Sequence, residues 1–452
     1  MNTINTINIE NQIKKHIYGK PQEAIVTYPP GFSSVAFDEI NFIFNNLWLP
    51  QKMNPEVTTN KNSIYIKNAH TVSLIELMMR AKCISDIKLI IFQGNCANKE
   101  TFQKKCSNVN WNLYINNQIS LKLKVDSVAS KAFHETGLRE ILKKILGDKV
   151  NEIVQGENTE ETTCLHADLY KDKLTLSLSI AGEPLYKRGF KETLNASAPL
   201  REDAAACCIE KCIQFGSKLN SSFLPETFFL PFSGTGTFAF EYLLKSLTIS
   251  PALLRKQYAL QKLPFFRKSN FDFLLKKSAE HFNLSIQETL KNKSRILCND
   301  SSNKANSVFL KNLTSFNNLM NENKISLPEN LFIHSEHQNA PYFEENFFKL
   351  EIEKILLSGD DKYQNIFIAM NPPYGLRLNK DSNTINLYKK IANQLNNISK
   401  FCKSNNKHIL GFILCPNEET WSAFVNQLQN FKSETYHFTQ GGKDIRVCQF
   451  YF

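Results

Sequence analysis

Two consecutive prolines, Pro372 and Pro373, stand one residue beyond the apolar run 366–370. Proline lacks a backbone N–H and has a fixed φ, so neither continues a central strand, and the residue before the pair is held extended. The run therefore reads as a buried strand that stops at Met370 and passes into a rigid turn beginning at Asn371. The same arrangement recurs upstream. Thr227–Leu230 reads as a buried strand stopping at Pro231-Phe232-Ser233-Gly234-Thr235-Gly236-Thr237, with a helix following through Leu247. Arg295–Cys298 stops at Asn299-Asp300, ahead of a helix from Asn303. Residues 331–334 and the apolar run His408–Cys415 are further strands, and residues 435–438, Gly441-Gly442 and 446–452 read as a closing hairpin. Strands alternating with helices in this way predict an α/β fold, a doubly wound sheet ending in a hairpin, over about residues 195–452.

The preceding part reads differently. Strands are expected at residues 24–28, 64–67, 87–92 and 121–125, and helices at Ser33–Asn45, 72–82 and 131–146. Leu174, Leu176, Leu178 and Ile180 alternate with polar residues, as a half-buried strand requires. These mixed elements predict small α+β modules. A basic stretch, Leu185-Tyr186-Lys187-Arg188-Gly189-Phe190, marks the transition. Ala198-Pro199 then opens a helix with Glu202 and Asp203 in its first turn, where the helix dipole favours acids.

The chain has 452 residues, room for two or three domains, and 42% hydrophobic residues suffice for a sizeable core. The formal net charge of +11 suits a polyanionic partner, although it is spread along the chain and forms no basic tail. Eleven cysteines without a Cys-x-x-Cys pair, and a start without a charged-then-apolar leader, predict reduced thiols in a cytoplasmic protein. Cys208 and Cys212 lie one helical turn apart but read as small core residues. Neither they nor His334 and His337 have the partners a metal site needs, so no metal is expected. No apolar run reaches about 18 residues, so no membrane span is expected.

Three motifs carry chemistry. The loop from Pro231 to Thr237 lets the backbone turn sharply and approach a ligand, at a helix N-terminus that favours polar or anionic groups. It also fits a dinucleotide pattern, Gly234-x-Gly236-x-x-Ala239, but lacks the Gly-Lys-Ser/Thr of a phosphate-binding P-loop. Asp300 ends the next strand, where a carboxylate can accept ribose hydroxyls, and Glu336 after the following strand is a candidate for an adenine amino group. At the turn, the Asn371 side-chain oxygen and the Pro372 carbonyl can accept hydrogen bonds from an exocyclic amine, aiming its lone pair at a methyl sulfonium. Pro373 stiffens the turn, and Tyr374 can stack on an extruded base. Rate enhancement would come from positioning and electrostatics. A nicotinamide dehydrogenase would use the loop but leave the turn unused.

In these motifs the sequence resembles the class I, Rossmann-like methyltransferases that act on amino nitrogens. Most of the chain is similar to the guanine-N2 methyltransferase half of the RlmL-type large-subunit ribosomal RNA methyltransferases. The matching stretches are the Leu185 to Phe190 segment, Ala198-Pro199-Leu200-Arg201-Glu202, the Pro231 to Thr237 loop and Asn371-Pro372-Pro373-Tyr374-Gly375. The resemblance implies a ferredoxin-like α+β piece over residues 1–70, a THUMP RNA-binding domain over 71–185, and a linker and catalytic domain over 186–452. It also implies S-adenosyl-L-methionine as cofactor, held by residues 231–237, Asp300 and Glu336, with base contacts from Asn371 to Tyr374. Ribosomal RNA is the expected partner. Lys131, Lys143, Lys144, Lys187, Arg188, Lys191 and Arg377 are candidate phosphate contacts. One departure stands out: Leu230 occupies the position where the family usually carries an Asp that helps hold the cofactor's methionine end. The bifunctional members also carry a second methyltransferase domain, which is not expected here. Guanine N2 in transfer RNA, adenine N6 in RNA or DNA, and an RNA-binding protein with a degenerate catalytic domain are the competing readings.

Overall fold

The computed structural model describes residues 2–51, 54–116, 120–130, 134–147, 162–192, 200–291, 295–325, 327, 332–334, 365–374, 381–404 and 407–452. The chain forms two compact units. The first comprises residues 1–28, 36–189 and 255–278, the second residues 29–35, 190–254 and 279–452.

The first unit is built on a seven-stranded sheet in the order β2-β3-β1-β4-β7-β6-β5. Its strands are β1 (Gln22–Thr27), β2 (Glu56–Asn60), β3 (Ser63–Ala69), β4 (Asp86–Asn95), β5 (Ser120–Val128), β6 (Thr162–Tyr170) and β7 (Lys173–Ser179). Period-two alternation puts one apolar set on one face: Ala24 opposite Leu89, Leu165 opposite Leu178 and Ala167 opposite Leu176. The helices of this part are α1 (Asn2–Ile13), α2 (Ser33–Asn45), α3 (Thr71–Arg80), α4 (Lys99–Ser107) and α5 (Glu135–Leu146). The sheet is continuous across residue 70, with β1 antiparallel to β4. The unit also takes in residues 255–278, anchored by Arg255, whose guanidinium donates to the carbonyls of Ala181 and Glu183 at 2.9 Å and of Pro184 at 3.1 Å.

The second unit holds β8 (Thr227–Leu230), β9 (Arg295–Cys298), β10 (Phe332–His334), β11 (Asn365–Met370), β12 (His408–Cys415), β13 (Lys432–Gln440) and β14 (Lys443–Tyr451). Its helices include α6 (Glu202–Leu219), α7 (Thr237–Ser246), α9 (Asn303–Glu322), α10 (Asp381–Ser404) and α11 (Glu418–Val425), while α8 (Lys268–Lys291) begins in residues of the first unit. The sheet order is β10-β9-β8-β11-β12-β14-β13, with β14 antiparallel to β12 and the preceding pairs parallel. This is the doubly wound arrangement with a closing hairpin anticipated from the alternation of strands and helices. The central strands are apolar on both faces, as parallel strands sandwiched between helix layers must be. Gly411 in β12 is dictated by packing: a Cβ there would lie 2.6 Å from the Phe450 ring and 2.7 Å from the Ile368 carbonyl. The chain winds outward from β8 through β9 to β10, then resumes on the other side of β8 with β11. Strand order therefore reverses between β8 and β11, and in doubly wound sheets such a switch point is where a ligand crevice lies, beyond the carboxyl ends of the strands. Among the described residues, no helix is long and apolar enough to cross a membrane.

Candidate active site at the strand-order switch

The loop after β8 and the turn after β11 flank that crevice. The two strands are parallel neighbours, with Ile368 opposite Phe229, so they end side by side at Met370 and Leu230. Adjacent strands lie roughly 5 Å apart, which brings the two motifs within reach of one small ligand.

The loop is shaped from both sides. Ser233 N–H donates to the Asn299 carbonyl at 2.8 Å, and Gly236 N–H closes the turn onto the Ser233 carbonyl at 2.9 Å. Gly234 and Gly236 have φ of 55° and 92°, in the left-handed region that favours glycine. At Gly236 a Cβ would collide with the Phe309 ring at 2.5 Å, whereas at Gly234 it would meet nothing within 4 Å. The loop thus presents open space at Gly234. Asp300 frames it: one carboxylate oxygen accepts the Gly234 N–H at 2.8 Å and the other accepts the Ser302 N–H at 2.9 Å. The Ser233 hydroxyl oxygen is buried with no partner among the described residues.

Sequence reasoning missed the brace beneath this loop. Asn312 is fully buried in α9; its amide donates to the Thr235 carbonyl at 3.1 Å, and its oxygen accepts the Glu192 N–H at 2.7 Å. A signal existed, since Asn306 and Asn312 fall on the apolar stripe that also carries Phe309 and Phe316. A polar residue on a core-facing stripe must find partners.

At the turn, Asn371 Oδ1 is buried and unpartnered among the described residues, so an acceptor waits at the end of β11. Pro372 is buried, Pro373 exposed and Tyr374 half-buried. Burial, aided by the neighbouring Cys208 and Cys415 thiols, pushes the Tyr374 phenol above its ordinary pKa and keeps it neutral. Tyr388 stands behind, donating to the Leu414 carbonyl at 2.7 Å. Cys208 and Cys212 are core residues, and Leu230 is wholly buried.

Two candidate phosphate contacts are corrected. Arg188 is 1% exposed, its guanidinium donating to the carbonyls of Leu185 and Lys82 at 2.9 and 2.8 Å; a cation so enclosed cannot meet a polyanion. Lys191 is also enclosed: its ammonium lies 2.8 Å from Glu202 Oε1 and donates to Thr237 Oγ1 at 2.7 Å. Lys187 is on the surface beside Glu183, Lys143 sits near Glu140, and Lys144 is exposed. Lys131, Glu336 and Arg377 lie outside the described residues.

No family model matches the chain. Curated relatives named ribosomal RNA large subunit methyltransferase K/L align with it. The protein from Psychromonas ingrahamii is 23% identical over 291 residues, covering 64% of this chain and 34% of that protein. That from Buchnera aphidicola subsp. Schizaphis graminum is 23% identical over 332 residues, covering 73% and 42%. The chain thus spans about a third to two-fifths of the length of these relatives. Among solved structures, SMU.472 in complex with SAH superimposes with a TM-score of 0.68 at 17% identity, over 95% of this chain and 98% of that one. A predicted N6-adenine-specific DNA methylase from Listeria monocytogenes gives 0.62 at 16% identity, over 96% and 97%. TrmN from Thermus thermophilus gives 0.56 at 12% identity, over 95% and 99%. At these identities the likeness establishes a shared fold along nearly the whole chain.

Proposed function

We propose that this chain is an S-adenosyl-L-methionine-dependent methyltransferase that acts on the exocyclic N2 amine of a guanine in large-subunit ribosomal RNA. The observation that carries the reading is the buried Asn371 Oδ1 at the end of β11, unpartnered among the described residues. A buried acceptor without a donor costs about 1–3 kcal/mol, so its persistence at a strand end facing a ligand loop calls for an incoming N–H. The loop fits the cofactor: open space at Gly234, the orphan Ser233 hydroxyl, and a carboxylate at Asp300 suited to ribose hydroxyls. Residues 231–237 and Asp300 would hold it, with Glu336 on the adenine side. The relatives' name supports large-subunit ribosomal RNA as substrate.

The bound cofactor supplies an electrophilic methyl group; the chain's part is positioning. Asn371 Oδ1 and the Pro372 carbonyl would accept hydrogen bonds from the two amine N–H groups, drawing the nitrogen lone pair out of conjugation with the ring. The paired prolines fix the spacing of those acceptors. Tyr374 would stack on the base, and the amine would shed one proton to solvent in exchange for the methyl group, whose loss leaves the cofactor as a neutral thioether. On this reading residues 71–185 form a THUMP domain that delivers RNA, with Lys143, Lys144 and Lys187 on phosphates, and the protein works in the cytoplasm. The test is nucleoside analysis of ribosomal and transfer RNA from a strain lacking the gene. Loss of one N2-methylguanosine from the large subunit is the expected result; unchanged methylated guanosines in both RNAs would overturn the proposal.

A further inference from the structure

The glycine-rich loop carries a carboxylate at each end. Asp300 holds Gly234 at its start. At its far end, Lys191 ties Thr237 to Glu202: the ammonium donates to Thr237 Oγ1 at 2.7 Å, lies 2.8 Å from Glu202 Oε1, and reaches the Leu200 carbonyl at 3.4 Å. The Lys191 and Glu202 side chains are only 7% and 10% exposed. An ion pair so withdrawn from water is often no more stabilising than an apolar pair of the same shape, so stability alone gives little reason for it.

The protons decide what the cluster can offer. All three ammonium protons of Lys191 have acceptors. Glu202 meets the ammonium through Oε1, which leaves Oε2 as a second acceptor position on the same carboxylate. Thr237 accepts from Lys191 and so keeps its own hydroxyl proton to give. An accepting carboxylate oxygen and a donating hydroxyl therefore stand together at the first residue of α7, at the end of the loop that also holds the buried Ser233 hydroxyl, unpartnered among the described residues. Leu230, at the end of β8, is apolar and offers nothing. The complement of such a pair is a group bearing an ammonium and a carboxylate on one carbon.

We infer that Glu202 recognises the α-ammonium of the cofactor's amino-acid end, with Thr237 donating to its carboxylate and Lys191 as a positioning residue for both. The inference rests on the cofactor reading above, and leaves Asp300 for the nucleoside end. The test is calorimetry on the full chain with two ligands. S-adenosylhomocysteine has the amino-acid end; 5′-methylthioadenosine keeps the nucleoside and thioether but lacks it. A charge-assisted hydrogen bond is worth about tenfold or more in affinity. Glu202→Gln is expected to weaken S-adenosylhomocysteine by about that factor and to leave methylthioadenosine within about twofold. Thr237→Val, which removes the hydroxyl without touching the acid, is expected to show the same selectivity should Glu202→Gln fold poorly. Lys191→Arg retains the preference and Lys191→Met loses it. Wild-type protein that binds neither ligand overturns the cofactor reading itself. Wild-type protein that binds S-adenosylhomocysteine, with variants that lose both ligands equally or neither, overturns the role of Glu202 alone.

Discussion

Replacing Asn312 by alanine tests whether the glycine-rich loop is held from below. The side chain makes two hydrogen bonds in a fully buried position, to the Thr235 carbonyl at 3.1 Å and from the Glu192 N–H at 2.7 Å. Each is worth about 1 kcal/mol net, and backbone groups left without partners away from water add to the loss, giving about 2–4 kcal/mol in all. That is a large part of the roughly 5–15 kcal/mol that holds a domain folded. The cost should appear locally first, because Thr235 lies in the loop itself. Amide hydrogen exchange read on the peptide covering residues 231–237 is the direct assay. A loss of about 2 kcal/mol of local opening free energy accelerates exchange about 30-fold. Thr314→Ala is the control: Thr314 sits on an exposed part of the same helix and bonds only its own helix backbone, so it should shift stability by about 0.5 kcal/mol or less. Exchange in Asn312→Ala indistinguishable from that control would refute the brace.

Three further outcomes are expected. Asn371→Ala should abolish methyl transfer in a filter-binding assay while calorimetric cofactor affinity stays within about threefold; wild-type turnover would remove the turn from the mechanism. Burial, reinforced by Lys88 and Lys124, lowers the His166 pKa from 6.5 to about 3, so the ring folds neutral. The unfolded ring gains a proton below pH 6.5 and the folded one does not, so stability present above about pH 6.5 falls as pH drops toward 3, at up to about 1.4 kcal/mol per unit. His166→Gln should flatten urea midpoints measured across that window, and an unchanged slope would show the ring titrating freely. Lys144→Ala should weaken RNA binding uniformly and reduce the slope of log affinity against log salt by about 0.7–0.9; an unaltered slope would place Lys144 off the phosphates.

How much was legible depended on whether a residue's partners lie nearby in sequence. The strands β8, β9, β11 and β12 could be read because each is an apolar run ended by Gly, Pro or Asn, and the doubly wound order follows from them. The strand β6 could not: its Thr163 and His166 are buried because β5 and β7 flank it on both sides, a fact of tertiary pairing. The long helix α8 goes unpredicted although Phe271, Leu274, Ser278 and Phe282 recur at helical spacing and are buried. At the site, local chemistry identified the turning loop and the rigid Asn-Pro-Pro-Tyr turn. It also read Arg188 and Lys191 as surface cations, since a basic residue in a linker looks exposed until its distant partners, Lys82 in one case and Glu202 with Thr237 in the other, are known.

The anchoring of residues 255–278 in the first unit has a consequence for synthesis. That segment is translated only after β8 and α7 of the second unit, so on an emerging chain the first sheet waits for Arg255 to meet the carbonyls of Ala181, Glu183 and Pro184. Cutting the chain after Gly189 does not yield a finished half. A fragment meant to isolate the first unit must supply residues 255–278 as well, by fusion or as a separate peptide.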